Sequence, residues 1–230
     1  MKKLLAIVAS LTLVPVQVAA QSETGTRIGG RPAQAPESGS NTERARIWLE
    51  RYAACIAKRD PKHLAGVLDA PINQDVAVGK LVEGNYDSCL SAGATADELR
   101  MNARLMLGAL YAEQVTRMVG RLTPDMLPPD VLPLPSGADL DQPARARASL
   151  VRFGECVMRK NPPAALEFVA ADAGKSRETA ALKDLVPYLG QCVDAGVQFQ
   201  LSRSILEASL AEAIYRTLQN SDPAKGSTLP

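Results

Sequence analysis

The residues of this chain that could carry redox or nucleophilic chemistry are four cysteines, and their spacing argues for covalent staples. A reactive thiolate wants an electropositive pocket with a nearby base, or a Cys-x-x-Cys arrangement. Neither surrounds Cys55, Cys89, Cys156 or Cys192. They fall instead at matched places in two similar stretches. Arg51-Tyr52-Ala53-Ala54-Cys55-Ile56-Ala57-Lys58-Arg59-Asp60-Pro61 is answered 101 residues later by Arg152-Phe153-Gly154-Glu155-Cys156-Val157-Met158-Arg159-Lys160-Asn161-Pro162. Cys89-Leu90-Ser91-Ala92-Gly93 is answered 103 residues later by Cys192-Val193-Asp194-Ala195-Gly196. Four cysteines allow three pairings. A duplicated unit is most simply stapled within itself, as Cys55–Cys89 and Cys156–Cys192, with pairing across the copies as the alternative.

Other chemistry is sparse. His63 is the sole imidazole, and imidazole is the usual general base near neutral pH and a common metal ligand. Its counterpart by the same offset is Ala164, so nothing that both copies do can need it. With no second histidine and no free thiol expected, a zinc site would rest on carboxylates, a poor match for that ion. Paired-acid hydrolysis would need two carboxylates held across a substrate. The candidates Asp69, Asp75 and Glu83 have no mirrored set. The chain holds no Gly-x-Ser-x-Gly elbow and no His-Glu-x-x-His, and Gly29-Gly30-Arg31 does not make a phosphate loop. Glu207-Ala208-Ser209 reads as part of a helix beside a buried face. Lys58-Arg59 and Arg159-Lys160 close their helices, where cations complement the negative end of the dipole. Trp48 and Tyr52 read as core. No catalytic residue, cofactor or metal ligand is assigned.

The elements that position these residues are helical, since apolar side chains recur at helical spacing and strand-like alternation is scarce. Trp48, Tyr52, Cys55 and Ile56 share one face, as do Leu150, Phe153, Cys156 and Val157. Asp60-Pro61 and Asn161-Pro162 each place a capping residue before a proline suited to a first helical position. Ala92-Gly93 and Ala195-Gly196 read as stops after a short helix bearing each second cysteine, and Thr95 with Glu98 as a capping box. A long last helix carries Leu99, Ala103, Met106, Leu110 and Tyr111 in one copy, and Leu201, Ile205, Leu210, Ile214 and Tyr215 in the other. The expected fold is all-α, two tandem repeats of about four helices, over 42–119 and 144–219. A unit of roughly 75 residues is small for an independent core, where staples help.

Met1-Lys2-Lys3, an apolar run to Val18 and Val18-Ala19-Ala20 read as a signal peptide over 1–20, cleaved before Gln21. Residues 21–41 read as a disordered lead and 220–230 as a disordered tail. Between the copies, residues 120–143 carry Pro124, Pro128, Pro129, Pro133, Pro135 and Pro143 and read as a stiff, unpacked linker. The pattern Arg-aromatic-small-x-Cys-apolar-x-basic-basic-Asp/Asn-Pro, followed by Cys-apolar-x-Ala-Gly and a long Leu/Ala-rich helix ending near Tyr215-Arg216, resembles a group of uncharacterised exported bacterial proteins with paired-cysteine helical repeats. That resemblance implies export and the helical unit, and brings no mechanism.

Loss of Lys2 and Lys3 moves the formal net charge from +1 to about −1. Acids and bases are interspersed, which argues against a nucleic-acid surface. No later apolar run is long enough to span a bilayer. The sequence therefore points to a periplasmic or secreted bacterial protein without an integral membrane segment, in a compartment where disulfides persist. The expected role is a non-enzymatic binding or scaffold protein of the cell envelope, its partner an envelope protein. Two rivals stand beside it: an envelope enzyme using Asp or Glu without a recognisable motif, and a small-ligand binder at the interface between the repeats.

Overall fold

The computed structural model describes residues 41–72, 86–89, 103–119, 132–135, 140–193 and 200–220. The expected signal peptide, most of the lead, the glycine stops, the Thr95–Glu98 box, Asp75, Glu83 and the tail beyond Asn220 lie outside these residues. Among the described residues every regular element is helical. They are α1 (Asn41–Arg59), α2 (Pro61–Leu68), α3 (Ala103–Val119), α4 (Gln142–Lys160), α5 (Pro162–Ala170), α6 (Ser176–Leu189) and α7 (Arg203–Asn220), with 3-10 turns at Asp87–Cys89 and Gly190–Cys192.

Local chemistry sets the boundaries. The Asp60 side chain accepts the His63 amide at 3.1 Å with Pro61 opening α2, and Asn161 accepts the Ala164 amide at 3.3 Å with Pro162 opening α5. Each junction ends one helix and starts the next, because the proline's missing N–H is one the first turn does not need. α4 starts at Gln142, earlier than the linker boundary expected at 143, because Asp141 supplies a cap to the Ala144 amide at 2.8 Å. Two further expectations are corrected. The second cysteines stand in 3-10 turns rather than in a helix. After α6 the change follows Pro187, which has no N–H to donate, and the chain tightens at Gly190. Leu201 precedes α7 and is exposed, so the core face of that helix starts at Leu206.

α7 is the axis of the packing. It is buried continuously from Leu206 to Tyr215 and packs most extensively on α3 and α4. Small residues make this possible. A Cβ on Gly108 of α3 would collide with Ala208, and one on Gly154 of α4 would collide with the Ser209 backbone, so both helices come closer to α7 than any side chain permits. One hydrophobic core joins residues of both stretches, with Ile56, Leu64, Leu68, Leu110 and Tyr111 packed among Val157, Phe168, Leu185, Leu210 and Ile214. A smaller cluster contains Ile72, Leu132, Leu140, Val151 and Ala213.

That smaller cluster corrects the picture of an unpacked linker. Leu132 and Leu140 are buried, and the Leu132 amide donates to the buried Glu155 Oε1 at 2.8 Å. Leucines between prolines carry enough apolar surface to dock, and the prolines reduce the entropy lost in docking. Trp48 is also not core. It stacks on Tyr52 with ring centroids 5.5 Å apart and is half-buried. Disulfides join Cys55 of α1 to Cys89 and Cys156 of α4 to Cys192, closing loops of similar sequence separation, 34 and 36.

Candidate functional site

The end of α2, the proline-rich stretch and the last turns of α7 surround an open cleft of about 450 Å³. Its walls mix apolar side chains, Leu68, Ile72, Leu132 and Leu134 among them, with polar groups that include Asp69, Tyr215 and Arg216. The volume falls within the range of small-molecule sites, which combine apolar walls with a few fixed polar groups.

The polar groups are held from behind. Tyr215 Oη donates to Asp69 Oδ1 at 2.7 Å. Burial first, and then this hydrogen bond, raise the Tyr215 phenol well above its ordinary range, so it remains a donor. Arg216 Nε donates to Glu212 Oε1 at 2.8 Å, and its Nη2 reaches Ala70 O and Tyr111 Oη at 3.1 Å each. Arg147 of α4 meets the same Glu212, its Nη2 2.7 Å from Oε1, and also donates to Tyr111 Oη at 3.1 Å. Tyr111 Oη in turn donates to Leu68 O at 2.8 Å. The Tyr111 ring lies 5.2 Å from that of Tyr215. Two guanidiniums, a buried carboxylate and a phenol thus fix the floor of the cleft, and fix α2 and α3 to α4 and α7.

A second charged junction ties α1 to the other half. Arg46 Nη1 lies 2.6 Å from Glu178 Oε1, and its Nη2 lies 2.7 Å from Glu207 Oε2. Glu178 Oε2 also accepts the Gly174 amide at 2.7 Å and meets Arg203 Nη1 at 3.4 Å. Burial raises the pKa of Glu207, and Arg46 opposes the shift.

Arg46 and Arg147 are each the sixth residue of a 19-residue helix and are 101 residues apart, in Arg44-Ala45-Arg46 and Arg145-Ala146-Arg147. Each reaches a different glutamate of α7. The signal for this pair was present in the sequence as the same offset that relates the cysteines. It was hidden because an arginine in a helix ordinarily reads as solvated.

The other candidates scatter. Asp69 lines the cleft, with Asp75 and Glu83 outside the described residues. His63 lies in the first turn of α2 and is not among the described residues lining the cleft. Lys58 and Arg59 are exposed at the end of α1, whereas Arg159 pairs with Glu155 at 2.8 Å. Glu207, Ala208 and Ser209 are all buried. Among the described residues no group of three His, Cys, Asp or Glu side chains could hold a metal ion, and no helix is long and apolar enough to cross a membrane. Comparison with protein-family models, curated proteins and solved structures returns no match.

Proposed function

We propose that this chain is an exported, non-enzymatic binding protein, built from two copies of one disulfide-stapled helical unit fused into one body, that takes a small amphipathic ligand where the copies meet. The observation that carries this reading is the cleft, whose lining comes from the first half, the proline-rich stretch and the second half together. A shared core favours one body with one site over two modules acting separately on a tether. The lining favours binding over paired-acid hydrolysis: among the described lining residues Asp69 is the only acid, and that mechanism needs two. Export is supported by the charged and apolar stretch at Met1 to Ala20 and by two disulfides.

Native mass spectrometry of the mature chain isolated from a periplasmic fraction tests both parts. The polypeptide is expected to begin at Gln21 and to carry a small molecule in about one-to-one ratio. Leu134→Trp, which fills the cleft from a partly exposed position, is expected to weaken that molecule's binding about tenfold, a loss near 1.4 kcal/mol, with melting unchanged. A ligand-free chain that instead captures an envelope protein, equally well with Leu134→Trp, would replace the small-ligand reading with a scaffold. Turnover of an envelope substrate that stops on changing Asp69 would replace it with an enzyme.

A further inference from the structure

Among the described residues Glu50 is an acid without a cation of its own. In the junction between α1, α6 and α7, the guanidiniums of Arg46 and Arg203 balance the carboxylates of Glu178 and Glu207. Glu50, one turn along α1 from Arg46, brings a third carboxylate. Its Oε2 accepts a long bond from the Ala173 amide at 3.4 Å, and its Oε1 is buried with no partner among the described residues, as is Arg46 Nε. Beside them lies a cavity of about 20 Å³ lined by Arg46, Glu50, Ser204 and Glu207, with Leu105, Gly108 and Ala109 of α3 as its apolar wall. That is room for one water, and three or more polar groups line it.

The contact made here differs from the rest of the fold. α1 packs closely on α2 and α3 and its later turns enter the shared core, whereas its earlier turns meet the second half through these side chains and the turn at 171–175. Gly174 adopts φ of +73°, where a side chain is disfavoured, and a Cβ there would collide with Glu43. The turn therefore meets the Glu43 side chain of α1, and its Gly174 amide is fixed by Glu178. The charged groups acting on Glu50 are Arg46 from its own helix, Asp172 from the turn and Glu207 from α7, while Glu178 of α6 and Arg203 of α7 complete the junction beyond Arg46. The part of α3 that reaches the cavity is apolar.

We infer that this junction is a proton-operated latch: a protonated Glu50 holds α1 against the 171–175 turn and α7, and loss of the proton adds an uncompensated negative charge there and loosens α1. Burial, and then repulsion from Glu207, push the Glu50 pKa up from the ordinary carboxylate value to about 7, against the pull of Arg46. A carboxyl whose folded pKa is raised favours the closed form fully below its unfolded pKa, and that advantage is lost as pH rises through the folded value. The working window therefore lies between the ordinary carboxylate pKa and about 7.

Hydrogen exchange on the full mature chain with both disulfides intact reads the latch directly. After correction for intrinsic rates, opening of the α1 amides is expected to rise about a hundredfold from about pH 5 to about pH 8, by the linkage of a carboxyl shifted by this much. Glu50→Gln, which copies the protonated form, is expected to keep α1 equally protected at both pH values. A wild-type chain whose α1 protection does not fall, or a Glu50→Gln chain that falls as much as wild type, would overturn the latch. A carbon-13 titration of the Glu50 carboxyl in the wild-type chain is independent of how the variant folds. A midpoint near neutral supports the latch, and one in the ordinary carboxylate range overturns it.

Discussion

Glu212 sits between Arg147 and Arg216 with its side chain almost wholly out of water, and both guanidiniums are positioned by it. Removing one partner of a buried ion cluster leaves the other charges uncompensated, which costs more than the pair contributes as a whole. Arg104, whose pKa is lowered by burial despite the attraction of Glu212, is drawn toward the same carboxylate. Glu212→Gln is therefore expected to lower the free energy of unfolding by roughly 3 kcal/mol in urea denaturation. A loss under about 0.5 kcal/mol, the level of an exposed pair, would show the cluster to be solvated. Little of this was legible in the residue order. The capping pairs Asp60-Pro61 and Asn161-Pro162 were, because a cap acts within four residues. Arg46, Glu178 and Glu207 were not, because their contacts span up to 161 residues and a charged side chain reveals its partner only when the fold brings the two together.

At the scale of elements, α7 shows why periodicity reads a helix more easily than its surroundings. Leu206, Leu210 and Ile214 mark one apolar stripe, yet Ala208, Ala211 and Ala213 bury the other faces too, since small residues let α3 and α4 approach from two sides. Gly108→Ala and Gly154→Ala are each expected to destabilise by about 1–3 kcal/mol through overpacking, since each new Cβ would meet the backbone of α7, or a Cβ fixed to it, rather than the movable end of a side chain. Equal or raised melting temperatures for both would mean that α7 shifts to accept the methyl groups. The staples act on the same elements from outside. Cys156→Ala with Cys192→Ala is expected to lower stability by about 2–4 kcal/mol, read by denaturant midpoint, while peptide mapping still recovers Tyr52–Lys58 joined to Leu81–Arg100 through Cys55 and Cys89.

Over the whole molecule, one core spans both stretches, so neither half has a complete interior of its own. Residues 42–119 produced alone keep the Cys55–Cys89 staple but lose α4 to α7, against which Leu110 and Tyr111 are buried. That fragment is expected to lack a cooperative thermal transition, as followed by circular dichroism. A sharp transition in either half alone would restore the picture of two independent modules. The sequence by itself determined the helical class, both proline-started junctions and the cysteine spacing, because each is written in residues near one another or repeated at a fixed offset. Tertiary structure decided the rest. The docking of Leu132 and Leu140, the burial of Arg46 and Arg147 against α7, and the cleft beside Tyr215 depend on which surfaces meet. Apolar burial is non-directional, so a pattern of leucines says that a face will be covered without saying by what.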